Sequence, residues 1–408
     1  MDKKLRILWV SNAPWTKTGY GVQTGLFTSK LIEMGHEVAI LCYYGLEGGI
    51  LNFAGATCYP KAHEPYGMDV MPQHAKNFQA TVIISLMDTW VFQPQQLAGF
   101  PWIAYYPVDH EPMPPKVRES LTYAFARVAM SKSGVKETHR QGLDCLYLPH
   151  AINTEHYKPK DKTEAREKLK LPKDAFIIGT VAMNKGLPSR KNFAGMLDAF
   201  ALFKKKHTDA IYYLHTEPMG IDNKSFNVIE KCNLLGLKMG RDVLLPDGYQ
   251  KYVGYNAEWM SDMYSALDVH LLASTGEGFG IPTLEAQACG CPVIVGDWTA
   301  MSELCFSGQK LDKKEASKEY TGIASYQFRA GARQIERALE AEFRKPSPRD
   351  RAVRMAKEYD IEIVNEKYFK PVMEKIVGAL IERKDRLVDG GRYAKGDKSR
   401  RGGGEFAL

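Results

Sequence analysis

Short apolar runs separated by longer stretches of helical spacing recur along the chain, and the alternation predicts its elements. Residues 5–10 are apolar apart from Arg6, as a strand buried on both faces requires. Ser11 to Tyr20 reads as a loop, Thr18-Gly-Tyr-Gly21 opens a helix that ends at Gly35, and 37–42 is the next strand. Strands follow at 80–86, 102–106 and 127–131, with a helix from Ser133 and a charged helical stretch over 159–172. A second series starts at 176–182. Its helix places Phe193, Met196, Leu197 and Phe200 on one face. Strands at 210–214, 243–245 and 252–255 and helices at 223–235 and 260–267 come next, before strands at 268–273 and 293–295. Residues 325–357 and 359–382 read as helical. Strands alternating with helices give an α/β fold with two doubly wound, Rossmann-like sheets.

The stretch Ser274-Thr-Gly-Glu-Gly-Phe-Gly-Ile-Pro-Thr-Leu-Glu285 joins strand 268–273 to a helix that Pro282 opens and Gly290 stops. Its glycines, Gly276, Gly278 and Gly280, let the loop turn into a helix N-terminus, where free backbone N–H groups bind phosphate. Glu277 sits on the loop and Glu285 about one turn into the helix. A carboxylate beside a phosphate repels it, so both acids call for hydroxyl donors. A phosphate flanked by polyhydroxyl groups is a sugar nucleotide.

The E-x7-E spacing, the Glu-Gly-Phe-Gly string and the following Ala-Cys-Gly-Cys-Pro-Val-Ile resemble the donor-site signature of retaining glycosyltransferases of family four. The resemblance is strong over 176–304, weaker in the first domain and absent from the tail. It implies the GT-B fold, with two Rossmann-like domains facing across a cleft and a C-terminal helix crossing back. The expected division is 1–160 on the acceptor side plus the helix 359–382, 161–358 for the donor, and 386–408 as a flexible basic tail. Carried residue by residue, the resemblance makes Gly278, Phe279, Gly280 and Ile281 donor-binding, gives Glu277 the sugar hydroxyls and gives Glu285 the ribose diol. Lys191, fixed by the Leu197-Asp-Ala-Phe200 run behind it, takes the family's lysine register and would neutralise a diphosphate. Its arginine partner is Arg190, with Lys185 as the alternative. Gly19 and Gly21 either face donor phosphates or simply shape a helix start. Asp109 and His110, just past the strand 102–106, occupy a position that the family often gives to a group near the reacting carbon.

Bulk properties narrow the partners. The chain has 408 residues, enough for two domains, and a formal charge of +7, part of it in the basic C-terminal stretch. That stretch is either a solvated tail or a contact for an anionic acceptor: a glycan, a lipid or a modified nucleic-acid base. No membrane span and no signal peptide are expected, and seven scattered cysteines fit a reducing cytoplasm. No D-x-D metal site is present, so the cation cradle is expected to work without a metal or other cofactor. The reading is a transferase moving a sugar from a UDP-, GDP- or ADP-type donor to an acceptor hydroxyl. A sugar-nucleotide epimerase and a non-catalytic nucleotide-sugar-binding subunit are the alternatives.

Overall fold

The computed structural model describes residues 4–393 apart from 94–96, 98 and 221–223. Contacts divide the chain into two compact units: Met1–Pro107 with Pro115–Pro149 and Glu362–Leu408, and Val108–Pro114 with His150–Ile361. The sequence reading grouped 108–114, 150–160 and 359–361 differently. The contacts put all three stretches with the second unit.

The first unit carries an eight-stranded sheet. Its strands are β1 (Arg6–Asn12), β2 (Glu37–Tyr44), β3 (Leu51–Phe53), β4 (Ala56–Pro60), β5 (Val82–Leu86), β6 (Trp102–Tyr106), β7 (Ala126–Ala129) and β8 (Leu146–Tyr147), in the order β3-β4-β2-β1-β5-β6-β7-β8. Every neighbour pair is parallel except β3 with β4. β5 and β6 are buried throughout, which explains why they read as apolar runs, with Ser85 the one polar residue among their ten. Buried tryptophans satisfy their indole N–H groups: Trp9 donates to Thr24 Oγ1 at 3.2 Å and Trp102 to Ser85 Oγ at 2.9 Å. The strand order reverses between β1 and β5. There the loop after β1 feeds the helix Gly19–Glu33, capped by Thr18, whose hydroxyl accepts from the Gly21 N–H at 3.0 Å. A Cβ at Gly21 would collide with the Thr16 side chain, so packing alone requires glycine here.

β3, β4 and the helix Met71–Phe78 were not anticipated. β3 is three exposed residues, Leu51-Asn52-Phe53, at the sheet edge, too short a run to read as a strand. The C-terminal segment runs as Ile361–Val364, a π turn Asn365–Phe369 and the helix Lys370–Tyr393. Phe369 packs on Phe27 at 4.8 Å, and Lys30 pairs with Glu362 at 2.7 Å. This helix continues beyond 382 and into the stretch read as a tail. Residues 394–408 of that stretch lie outside the described residues.

The second unit has a six-stranded, all-parallel sheet. It comprises β9 (Ile177–Val181), β10 (Ile211–His215), β11 (Val243–Leu244), β12 (Val269–Leu272), β13 (Val293–Gly296) and β14 (Gly308–Leu311), in the order β11-β10-β9-β12-β13-β14. The order reverses between β9 and β12, the crevice where open parallel sheets bind ligands. Residues 252–255, read as a strand, instead follow or end the short helix Gly248–Val253, which Asp247 caps. The long helix read over 325–357 is also corrected. β15 (Ser317–Tyr320) and β16 (Tyr326–Arg329) form an antiparallel hairpin, followed by separate helices Ala332–Arg344 and Arg349–Ala356. Tyr-Gln-Phe-Arg alternates as a strand does, and Pro346 and Pro348 interrupt the helical stretch behind it.

Candidate active site

Two loops leave the carboxyl ends of β9 and β12 side by side. The second enters the helix Ile281–Ala288 through Gly280, whose φ of 105° is left-handed, so this N-terminus has no side-chain cap. The first enters the helix Phe193–Lys204 through Asn192, also left-handed at φ 57°. A backbone hydrogen bond from Thr275 N–H to Arg190 O, 2.8 Å, ties the loops together.

This brings the charged groups of both loops to one place. Lys191 Nζ forms an ion pair with Glu277 Oε1, and Arg190 Nη1 lies 3.1 Å from Glu277 Oε2. Arg190 also donates to the Gly276 carbonyl and stands 3.9 Å from Asp109 Oδ2. Asp109 Oδ1 in turn meets His110 Nδ1 at 2.6 Å. Of the two basic candidates, Arg190 is the one beside Glu277, while Lys185 is exposed. The Glu277 N–H donates to Thr299 Oγ1 at 3.1 Å, which fixes the loop below its carboxylate.

Burial works to raise the Glu277 carboxyl, but the charges of Arg190 and Lys191 outweigh it and hold it at about 2. Burial likewise opposes ionisation of Asp109, yet His110 and Arg190 keep it at about 2. The Lys191 ammonium is shifted below its ordinary value, by burial and by Arg190 against the pull of Glu277. Glu285 has a different environment. It is buried without a cation, its Oε2 accepts from the Tyr264 hydroxyl at 3.0 Å, and burial pushes it up to about 6. The two glutamates of one motif thus differ by several units.

Other residues singled out in the sequence fall elsewhere. The Phe279 ring is buried against His150, 5.0 Å between centroids, and Ile281 is buried too, so each offers a ligand only its backbone. Gly278 lies on the loop between these groups, while Gly19 and Gly21 belong to the first unit. Three buried oxygens at this edge of the second unit, Asn184 Oδ1, Thr216 Oγ1 and Thr283 Oγ1, have no hydrogen-bond partner among the described residues. Thr299, Tyr264 and Asn192 were not found from sequence. Each is remote in sequence from the acid or base it supports, or supports it through the backbone. Among the described residues, no group of three or more His, Cys, Asp or Glu could hold a metal ion, and no helix is long and apolar enough to cross a membrane.

Gly276 has a steric role. A Cβ there would collide with the Asp109 carbonyl oxygen. Gly276→Ala is expected to force 108–114 and the Glu277 loop apart, destabilising the protein by about 1–3 kcal/mol and lowering any turnover. A thermal melt beside a rate assay checks this, and unchanged values in both would refute the close approach.

The two α/β units with their parallel sheets have the GT-B fold. Residues 180–316, which span both loops, match the family model described as "Glycosyl transferases group 1". A D-inositol 3-phosphate glycosyltransferase of Geodermatophilus obscurus is 26% identical over 156 residues, covering 36% of this chain and 32% of that protein. The chain spans less than half the length of the first curated relatives it matches. Two solved structures share the fold along nearly the whole chain. Sucrose-phosphate synthase from Thermosynechococcus elongatus has a TM-score of 0.67 at 14% identity, covering 94% of this chain and 100% of its own. The Anabaena protein HepE, solved in complex with UDP-glucose, has a TM-score of 0.64 at 14% identity, covering 91% and 100%.

Proposed function

We propose that this protein transfers a sugar, with retention of anomeric configuration, from a nucleotide-diphosphate sugar to an acceptor hydroxyl. The observation that carries the reading is the meeting of Lys191, Arg190 and Glu277 at an uncapped helix start in the crevice of the second sheet. A diphosphate entering there finds two cations and backbone dipoles, which stabilise the charge growing on the leaving group as the sugar carbon becomes oxocarbenium-like. Glu277, acceptor-only when ionised, takes sugar hydroxyls, and Glu285 takes the ribose diol. Asp109 stays ionised beside Arg190 and supplies negative charge to the cationic sugar, with His110 orienting it. No side chain is assigned as a covalent nucleophile, and a same-face displacement needs none. The unpartnered oxygens of Asn184, Thr216 and Thr283 suit a ligand rich in polar groups. A fold neighbour holding UDP-glucose supports the donor class.

The cradle is made of side chains, so we propose that no metal is required. The basic surplus favours an anionic acceptor as the first class to try. The test incubates the protein with UDP-, GDP- and ADP-sugars, with and without a glycan, lipid or nucleic-acid acceptor and with EDTA. Acceptor-dependent nucleotide release that survives EDTA is the expected result. An isomerised donor would indicate an epimerase, binding without turnover would indicate a subunit that only holds the donor, and loss of turnover in EDTA would refute metal independence.

A further inference from the structure

The hairpin of β15 and β16 touches all three segments that carry the charged cluster, and it does so through one strand. Gln327 is buried, and its two amide atoms are used in opposite directions. Oε1 accepts from Thr275 Oγ1 at 2.7 Å, next to the Glu277 loop, and Nε2 donates to the Asp109 carbonyl at 3.3 Å. On either side of it the backbone repeats the pattern: Phe328 N–H donates to Thr275 O at 3.0 Å, and Tyr326 O accepts from Glu111 N–H at 3.0 Å. Two residues on, Arg329 Nη1 donates to Asn192 Oδ1 at 3.1 Å and to Ser189 O at 3.2 Å, on both sides of Arg190 and Lys191. Asn192 holds a left-handed backbone, φ 57°, which asparagine adopts more readily than other non-glycine residues. Its other amide end donates to Ala330 O at 3.1 Å, again on the hairpin side. At the outer end, Lys313 pairs with Glu111 and Ser325 donates to the Pro112 carbonyl.

We infer that the hairpin Ser317–Arg329 is a clasp that sets the spacing of the charged cluster, with Gln327 and Arg329 as positioning residues that touch no substrate themselves. The inference rests on the glycosyl-transfer reading for its rate effect and on geometry alone for its structural effect. Gln327 couples Asp109 to the Glu277 loop, so its loss separates Asp109 from Arg190 and leaves the Lys191–Glu277 pair in place. Arg329 acts on the other side, by keeping Asn192 in the conformation that aims Lys191. A rate that depends on charges held within ångströms of a reacting carbon falls steeply when they drift, whereas a diphosphate held by Lys191 and Arg190 still binds.

The test uses the full chain with Gln327→Met, which keeps the volume and removes both hydrogen bonds, and Leu234→Ser as a control at an exposed position outside the hairpin. Hydrogen exchange is read over 108–114 and 189–192, together with kcat and the calorimetric Kd for nucleoside diphosphate. Gln327→Met is expected to exchange faster over 108–114 and to lose about 10- to 100-fold in kcat, with Kd changed by less than about twofold. Leu234→Ser should match the wild type in all three. Unchanged exchange in Gln327→Met overturns the clasp. Faster exchange with unchanged kcat overturns its positioning role, and so does a parallel loss of kcat and Kd, which marks general destabilisation. If the wild type turns over no donor, the glycosyl-transfer reading fails, and the exchange data still decide the clasp.

Discussion

Lys191→Ala is expected to lower kcat by about 100- to 1000-fold, roughly 3–4 kcal/mol of transition-state stabilisation, and to weaken nucleoside diphosphate binding in the same variant. Lys191 directly precedes the left-handed Asn192 at the start of its helix, and its ammonium is held in the ion pair with Glu277. The variant has a second consequence. Glu277 loses one of its two counter-charges, and its carboxyl moves up from about 2. Folding stability held by that low value is present above the unfolded carboxyl range near 4.5 and lost as pH falls towards 2. Lys191→Ala should therefore lose stability at neutral pH and show a shallower fall on acidification. Turnover at saturating donor equal to wild type would remove Lys191 from the chemistry.

Glu277→Gln and Glu285→Gln are expected to fail in opposite ways. Glu277→Gln should depress transfer by about 100-fold while nucleoside diphosphate still binds, because the two cations remain. Glu285→Gln should weaken nucleotide binding itself by about 1–3 kcal/mol, the loss of a charged hydrogen bond to a ribose hydroxyl. Their effects on the free protein should also oppose. Glu285 titrates near 6 when folded and near 4.5 when unfolded, so the folded state holds more protons in that window and stability falls as pH rises through it. Above pH 6 the cost is about 2 kcal/mol, which glutamine removes. Glu285→Gln should melt higher than wild type at pH 7–8 and show no gain at pH 4, whereas Glu277→Gln should melt lower at neutral pH. Calorimetric titrations and melts at two pH values check both, and equal, small changes in the pair would mean that neither glutamate serves a donor.

The features that were legible in the sequence were local ones. The loop from Ser274 to Glu285 carries its turn, its helix start and both acids in one contiguous string, so periodicity and glycine placement sufficed. Asp109 and His110 were singled out because a strand end is readable and the family resemblance places a group there, and Lys191 because that resemblance supplies a lysine whose register the apolar helix face behind it fixes. Gln327 and Arg329 were not found. Their partners, Asp109, Thr275, Ser189 and Asn192, are distant in sequence, and a glutamine carries no charge or metal-binding pattern to mark it. The strong helical repeat of Ala332–Arg344 was extended backwards over β16, since four alternating residues are too few to outweigh it. β3 went unread for a similar reason: a three-residue exposed edge buries nothing that would impose a pattern.

Each unit is assembled from separated pieces of chain. Val108–Pro114 leaves the first unit's sequence to join the second, and Glu362 onwards returns to the first. Neither unit is therefore a cassette that gene fusion could exchange by a single cut. A fragment beginning at His150 would keep Lys191, Glu277 and Glu285 but lack Asp109, His110 and Glu111, and with them the anchor for the Gln327 amide. A fragment ending at Pro149 would lack Phe369 and Glu362, leaving Phe27 and Lys30 uncovered. Exchanging either whole unit between relatives therefore needs junctions at 107/108, 114/115, 149/150 and 361/362 together.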